Sequence, residues 1–183
     1  MTVLPGLTTT EKAAIPRFLH DLRASSVRAI ALFPTVLDQA ERYELYDELA
    51  SVPGLRIPHV HLRTDFDLQE IRFVTEQFGT ELFNIHPRSS RHAFGPVPEP
   101  VAPQVFVENV EVTAEDEELE ELGGICPDYS HLENARLQRR DDYVAATLSQ
   151  LRRYTIGCCH ISAVRPHAPN PWNGGFDHHR FTS

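Results

Sequence analysis

Gly123-Gly124-Ile125-Cys126-Pro127-Asp128-Tyr129-Ser130-His131 is the stretch from which the rest of the chain can be read. Two glycines lead into a short apolar strand. At its C-terminal end stand an aspartate and, three residues on, a histidine. Buried without partners, these side chains would destabilise a core. As ligands of a divalent cation they make chemical sense, because carboxylate and imidazole suit ions such as Zn²⁺ and Mn²⁺. Asp128 ahead of a helix also reads as an N-cap, and the spacing leaves both readings open.

Working outward, strands and helices alternate. Thr8-Thr9-Thr10-Glu11 reads as a helix start, with Ile15, Phe18, Leu19 and Leu22 forming an apolar stripe at helical spacing. Strands are expected over Val27–Phe33, Leu55–Leu62, Glu81–His86, Val105–Val110, Gly124–Asp128 and Thr155–Val164. Helices are expected over Asp38–Leu49, Leu68–Phe78, Thr113–Leu122 and Leu132–Tyr154, the third so acidic that its charges read as facing solvent. The Pro-rich stretch Gly95–Pro103 reads as a loop over the sheet, and everything from Arg165 as loop and tail. Near-continuously apolar strands separated by helices predict a parallel sheet, either an open doubly wound one or a (β/α) barrel. Phe33-Pro34-Thr35 has no glycine-rich phosphate loop, which weighs against dinucleotide binding. Polar residues at five successive strand ends favour the barrel.

At 183 residues, the chain reads as a single domain over 1–183, its 165–183 tail carrying Asp177 and His179. The apolar content of 41% and charged content of 23% fit a soluble globular protein. No apolar run is long enough to cross a bilayer, and Met1 to Leu7 lacks the pattern of a signal peptide. Three cysteines make no disulfide framework and read as buried strand residues, with Cys158 a minor candidate ligand; the compartment expected is the cytoplasm. A net charge of −9 weighs against nucleic acid as partner. Ten histidines, seven of them at or just beyond expected strand ends or in the tail, weigh for a metal site.

Side chains alternate faces along a strand, so parity selects the candidates. His59 and His61 share a face, as do Asn84 and His86, Phe106 and Glu108, and Ile156, Cys158 and His160. If these faces meet at one rim, they gather His61, His86, Glu108, Asp128, His131 and His160, a set suited to a divalent metal, Zn or Mn. Singly, each has an ordinary explanation: a histidine satisfied in the core, Glu108-Asn109 as a strand end meeting solvent, or Asp128 as a helix cap.

HVHL at 59–62, NIHP at 84–87, VFVEN at 105–109, DYSH at 128–131, CCHIS at 158–162 and DHH at 177–179 together resemble the xylose isomerase-like (β/α) barrels. That family includes sugar phosphate isomerases and epimerases and the endonuclease IV type. The resemblance implies metal ligation by Glu108, Asp128 and His160, with His131 at the substrate or a second metal. Its endonuclease-like branch adds His61, His86, Asp177 and His179 as ligands. Arg165 resembles the place where epimerases keep a substrate-binding arginine, and His59 and Trp172 are expected beside it as substrate contacts. The family closes its barrel with a further strand carrying a glutamate, whereas no carboxylate follows Asp177 here. The expected fold is therefore a shortened TIM-type barrel of about six strands without the final one, and its open sheet edge predicts a homo-oligomer.

Three functions follow as expectations. The first is a metal-dependent isomerase or epimerase of a small sugar or sugar phosphate, with Glu108 and His131 as the catalytic pair. The second is phosphodiester hydrolysis in the endonuclease manner. The third is a barrel that binds metal but has lost its chemistry.

Overall fold

The computed structural model describes residues 2–169 and 175–177. The chain forms two compact units, Met1–Asn84 and Ile85–Ser183. Both are α/β, with parallel strands and intervening helices.

The first unit runs β1 (Gly6–Thr8), α1 (Ile15–Ala24), β2 (Ala29–Phe33), α2 (Gln39–Ala50), β3 (Arg56–His61), α3 (Leu68–Phe78) and β4 (Leu82–Ile85), whose last residue passes into the second unit. Its four strands pair in parallel in chain order. Parallel strands covered by helices are apolar on both faces, as Ile30, Leu32, Ile57, Val60 and Phe83 are. α2 starts at a reciprocal cap, in which Asp38 accepts from the Glu41 amide and the Glu41 side chain accepts from that of Asp38. α3 ends at Gly79, whose φ of 66° is left-handed.

The N-terminal expectation needs correcting. Gly6–Thr8 is a strand, and α1 begins only at Ile15, after a short 3₁₀ turn over Lys12–Ala14. Instead of capping a helix, Thr9 donates its amide to the Phe33 carbonyl at 3.1 Å, extending the pairing of β1 with β2.

The second unit runs β5 (Val105–Glu108), α4 (Asp116–Glu121), β6 (Gly124–Cys126), α5 (Tyr129–Leu137), α6 (Asp141–Arg153), β7 (Arg165–Pro169) and β8 (Phe176–Asp177). Every residue of β5 and β6 is buried, and the two pair in parallel. Four expectations are corrected here.

The long helix breaks at Arg139, whose φ is 59°. The Arg139 amide reaches the Arg136 carbonyl and the Arg140 amide the Ala135 carbonyl, the bonding of a Schellman close with arginine where glycine is usual. Thr155–Val164 forms no continuous strand; its backbone pairs with its neighbour through parallel bridges at Ile156 and His160. Two short strands, β7 and β8, pair antiparallel where loop was expected. The acidic helix is not wholly solvated, because Glu118 is 1% exposed and accepts from the Arg88 amide at 3.0 Å. Burial, the larger influence, raises the Glu118 pKa despite that bond.

Among the described residues no helix is long and apolar enough to cross a membrane.

Candidate metal centre

The centre of the second unit is built by glycine. At Gly124, where φ is 122°, an added Cβ would lie 2.2 Å from the Thr155 carbonyl oxygen; at Gly157 it would lie 2.2 Å from the Phe106 ring. Only glycine permits these approaches. They let residues 155–160 run alongside β6, held by Ile125 N–H to Thr155 O at 2.9 Å, His160 N–H to Pro127 O at 2.9 Å and Tyr129 N–H to His160 O at 3.0 Å. Those bonds set His160 opposite Asp128.

Glu108, Asp128 and His160 thus come together, each offering one ligand atom within 4.8 Å of the others. Glu108 is 5% and Asp128 6% exposed. His160 Nδ1 lies 3.5 Å from a Glu108 oxygen and 3.8 Å from Asp128 Oδ2. Donors around a tetrahedral ion at about 2.1 Å stand about 3.4 Å from one another, so the spacing suits a shared cation. Burial opposes a charge on His160, but the Glu108 carboxylate and then Asp128 outweigh it and hold the imidazolium pKa up to about 9.

The two oxygens of Asp128 have separate tasks. Oδ1 caps α5, accepting from the Ser130 amide at 2.7 Å and the His131 amide at 3.0 Å. Oδ2 is the atom that approaches His160. The cap reading of Asp128 holds, and the cap leaves Oδ2 facing His160, so it does not exclude the ligand reading.

Two supporting residues were not singled out from the sequence. Asn109 is 2% exposed rather than a solvated strand end; it accepts from the Asp128 amide at 2.7 Å and donates to the Asp128 carbonyl at 3.1 Å. Its place directly after Glu108 was the available signal. Cys126 places Sγ 3.6 Å from His160 Nε2. Burial pushes its thiol pKa well up, so the sulfur stays protonated and stands as a weak hydrogen-bond acceptor for the His160 Nε2–H. The expectation of three buried cysteines holds for Cys126 but not for Cys159, which is exposed.

The remaining candidates lie as follows. A ring nitrogen of His86 comes within 4.8 Å of a Glu108 oxygen, and the His86 ring is 6.1 Å from that of His92. His131 belongs to no cluster of three donors among the described residues; it lines a cleft with Arg140. In the first unit, His59 Nε2 donates to Asn84 Oδ1 at 2.8 Å, and Asn84 Nδ2 donates to His61 Nδ1 at 2.7 Å, with both rings beside Phe33. Arg165 opens β7 and its backbone pairs with that of Asp177. Trp172 and His179 lie outside the described residues.

Comparison of the chain with protein-family models, with curated proteins and with solved structures finds no match.

Proposed function

We propose that Glu108, Asp128 and His160 hold one divalent cation, Mn²⁺ or Zn²⁺, and that the protein is an isomerase or epimerase of a small sugar or sugar phosphate. The observation that carries this reading is the convergence of two buried carboxylates and one imidazole with donor atoms within 4.8 Å. The set is hard, oxygen and nitrogen only, which favours those ions. His86, close to Glu108, is the nearest candidate for a further ligand. The fold on this reading is a shortened (β/α) barrel of the xylose isomerase-like type.

A cation bound there would steady adjacent substrate oxygens and polarise a carbonyl. Glu108 supplies the base that takes the proton from the neighbouring carbon and returns it, doubling as a ligand. Asp128, with Oδ1 committed to α5, keeps Oδ2 in place without moving the helix. Asn109 fixes the Asp128 backbone from the other side.

Elemental analysis of the purified protein, followed by an aldose–ketose and epimer interconversion assay on free and phosphorylated sugars, tests the proposal. One exchangeable ion per chain with turnover supports it. Two or three tightly held zinc ions with cleavage of an abasic-site duplex would replace it with the hydrolase reading. No metal uptake at all would refute it.

A further inference from the structure

Three cysteines are free in the structure, and the metal-dependent reading gives none of them a reacting role. Two of them come together. Parallel bridges join Ile125 to Ile156 and Asp128 to His160. Between the bridges one backbone has two residues and the other three, so one residue of the second is extra. Counting back from Asp128 and His160, Cys126 falls opposite Cys158, and the extra residue is Gly157, the position pressed against the Phe106 ring. Side chains alternate faces along paired backbone, so both sulfurs stand on the face that carries Asp128 and His160. The contacts agree. The Cys126 thiol is hydrogen-bonded to Cys158, and its Sγ lies 3.6 Å from His160 Nε2.

This pairing has the layout of a cross-strand disulfide before any bond exists. Neighbouring strand backbones stand about 4.8 Å apart, inside the roughly 4.4–6.8 Å between the Cα atoms of a disulfide. The two sulfurs differ in access. Cys126 is 0% exposed, whereas Cys158 is half-buried. An oxidant arriving from solvent meets Cys158 first, and the Cys126 thiol stands beside it. Cys159 is exposed, but it follows Cys158 directly, so its side chain leaves on the opposite face.

We propose that Cys126 and Cys158 are a redox pair, which a hydroperoxide closes to a disulfide beside the metal centre. The Cys158 sulfur attacks one peroxide oxygen, the O–O bond breaks, and water or an alcohol leaves with the thiol proton. The Cys126 sulfur then attacks the resulting sulfenic acid; the S–S bond forms, the S–O bond breaks, and water leaves with the second proton. The two thiols lose two electrons and the peroxide takes both. Closure replaces the thiol at His160 Nε2 with a disulfide sulfur, which places the change at a donor of the centre. The inference stands apart from the metal-dependent reading, since the pair is set by backbone register.

Peptide mapping of the full chain, reduced, stripped with chelator and then treated with hydrogen peroxide, tests it. Two of the three thiols should disappear, a peptide joining Cys126 to Cys158 should appear, and dithiothreitol should reverse both changes. Cys159→Ser should give the same link. Cys126→Ser should instead stop at a Cys158 sulfenic acid that dimedone labels, and Cys158→Ser should keep its Cys126 thiol through the same treatment. Retention of all thiols by wild type, a main product that joins Cys159 to Cys158 or to a second copy, or a Cys126–Cys158 link that forms only in urea would each overturn the proposal. If Cys126→Ser fails to fold, absence of the link in Cys159→Ser overturns it. The link in a protein that takes up no divalent ion would support the redox pair while refuting the metal centre.

Discussion

Each unit of this protein buries a basic side chain against two carboxylates, and the two clusters are finished differently. In the first, Arg42 is 0% exposed and donates through two nitrogens to both oxygens of Glu70, also 0% exposed, each at 2.7 Å. Tyr46 donates to the same carboxylate at 2.8 Å, Asp65 reaches Arg42 at 2.9 Å from a side chain 41% exposed, and the Phe66 ring covers the guanidinium at 4.4 Å. Burial opposes the Arg42 charge, but Glu70 and then Asp65 hold its pKa above the ordinary value. In the second, both carboxylates are buried, and they stand 3.5 and 3.8 Å from His160, beyond the roughly 2.7–2.9 Å of a charge-assisted hydrogen bond. The first arrangement is closed by fork geometry and charge. The second has the spacing that a shared cation would draw together. Burial of charge is common to both clusters; the distances between their donors are what differ.

Mutation separates them. Glu70→Ala should have the largest effect on folding, because it leaves the buried Arg42 with only the part-exposed Asp65 carboxylate and the Leu37 carbonyl. Urea unfolding should lose about 3–5 kcal/mol, and a loss below about 1 kcal/mol would mean the network is not what holds α2 to α3. Glu108→Gln should act mainly on metal. Its unfolding free energy at pH 7 should fall, because the main partner of the His160 imidazolium is lost, but by less than that of Glu70→Ala, since Asp128 remains beside the ring. Its divalent-metal affinity should fall by more than about a hundredfold, a larger loss than is usual for residues that merely support a ligand. Calorimetry with Mn²⁺ and Zn²⁺ reads this, and unchanged uptake would remove Glu108 from the site.

Acidity gives a third contrast. The His160 pKa is raised from 6.5 to about 9 in the folded protein, so its proton is bound more tightly there than in the unfolded chain. In metal-free protein the resulting stabilisation is complete below pH 6.5 and is lost as pH rises through 9. Metal competes with that same proton, so apparent affinity should climb about tenfold per pH unit until near pH 9 and then level. A pH-independent affinity between 7 and 9 would show that His160 is not a ligand. The smallest expected difference tests the two oxygens of Asp128. Asp128→Asn keeps a capping oxygen, whereas Asp128→Ala does not, so the alanine variant should be less stable by about 1 kcal/mol while both lose metal. Equal stabilities would show that the cap contributes little.

Much of the frame was legible in the residues. α3 runs Leu68–Phe78 as its apolar spacing and Gly79 indicated, and α2 begins after Asp38, the residue at which the helix was expected to start. Glu108, Asp128 and His160 stood among the six strand-end residues that side-chain parity gathered, and the resemblance to the barrel family picked out these three. The errors have physical causes. β1 is three residues of glycine, leucine and threonine, too short for any period, beside threonines that resemble a helix cap. The break at Arg139 carries no glycine or proline, so the helical pattern reads straight through it. Residues 155–164 have a strand's composition but only two bridges, because pairing depends on where neighbours fall. The roles of Asn109 and Cys126 are likewise set at long range, through residues 19 and 34 positions away, with only the place of Asn109 after Glu108 as a signal in the linear chain.

The sequence by itself determined the alternation of parallel strands and helices and the identity of the donor atoms, since periodicity and side-chain chemistry are properties of short stretches. Tertiary structure alone decided that Asp128 divides its oxygens between a helix cap and His160, and that residues 155–160 run alongside β6. Those outcomes depend on distances of a few tenths of an ångström between segments far apart in the chain, set by the close packing that Gly124 and Gly157 permit.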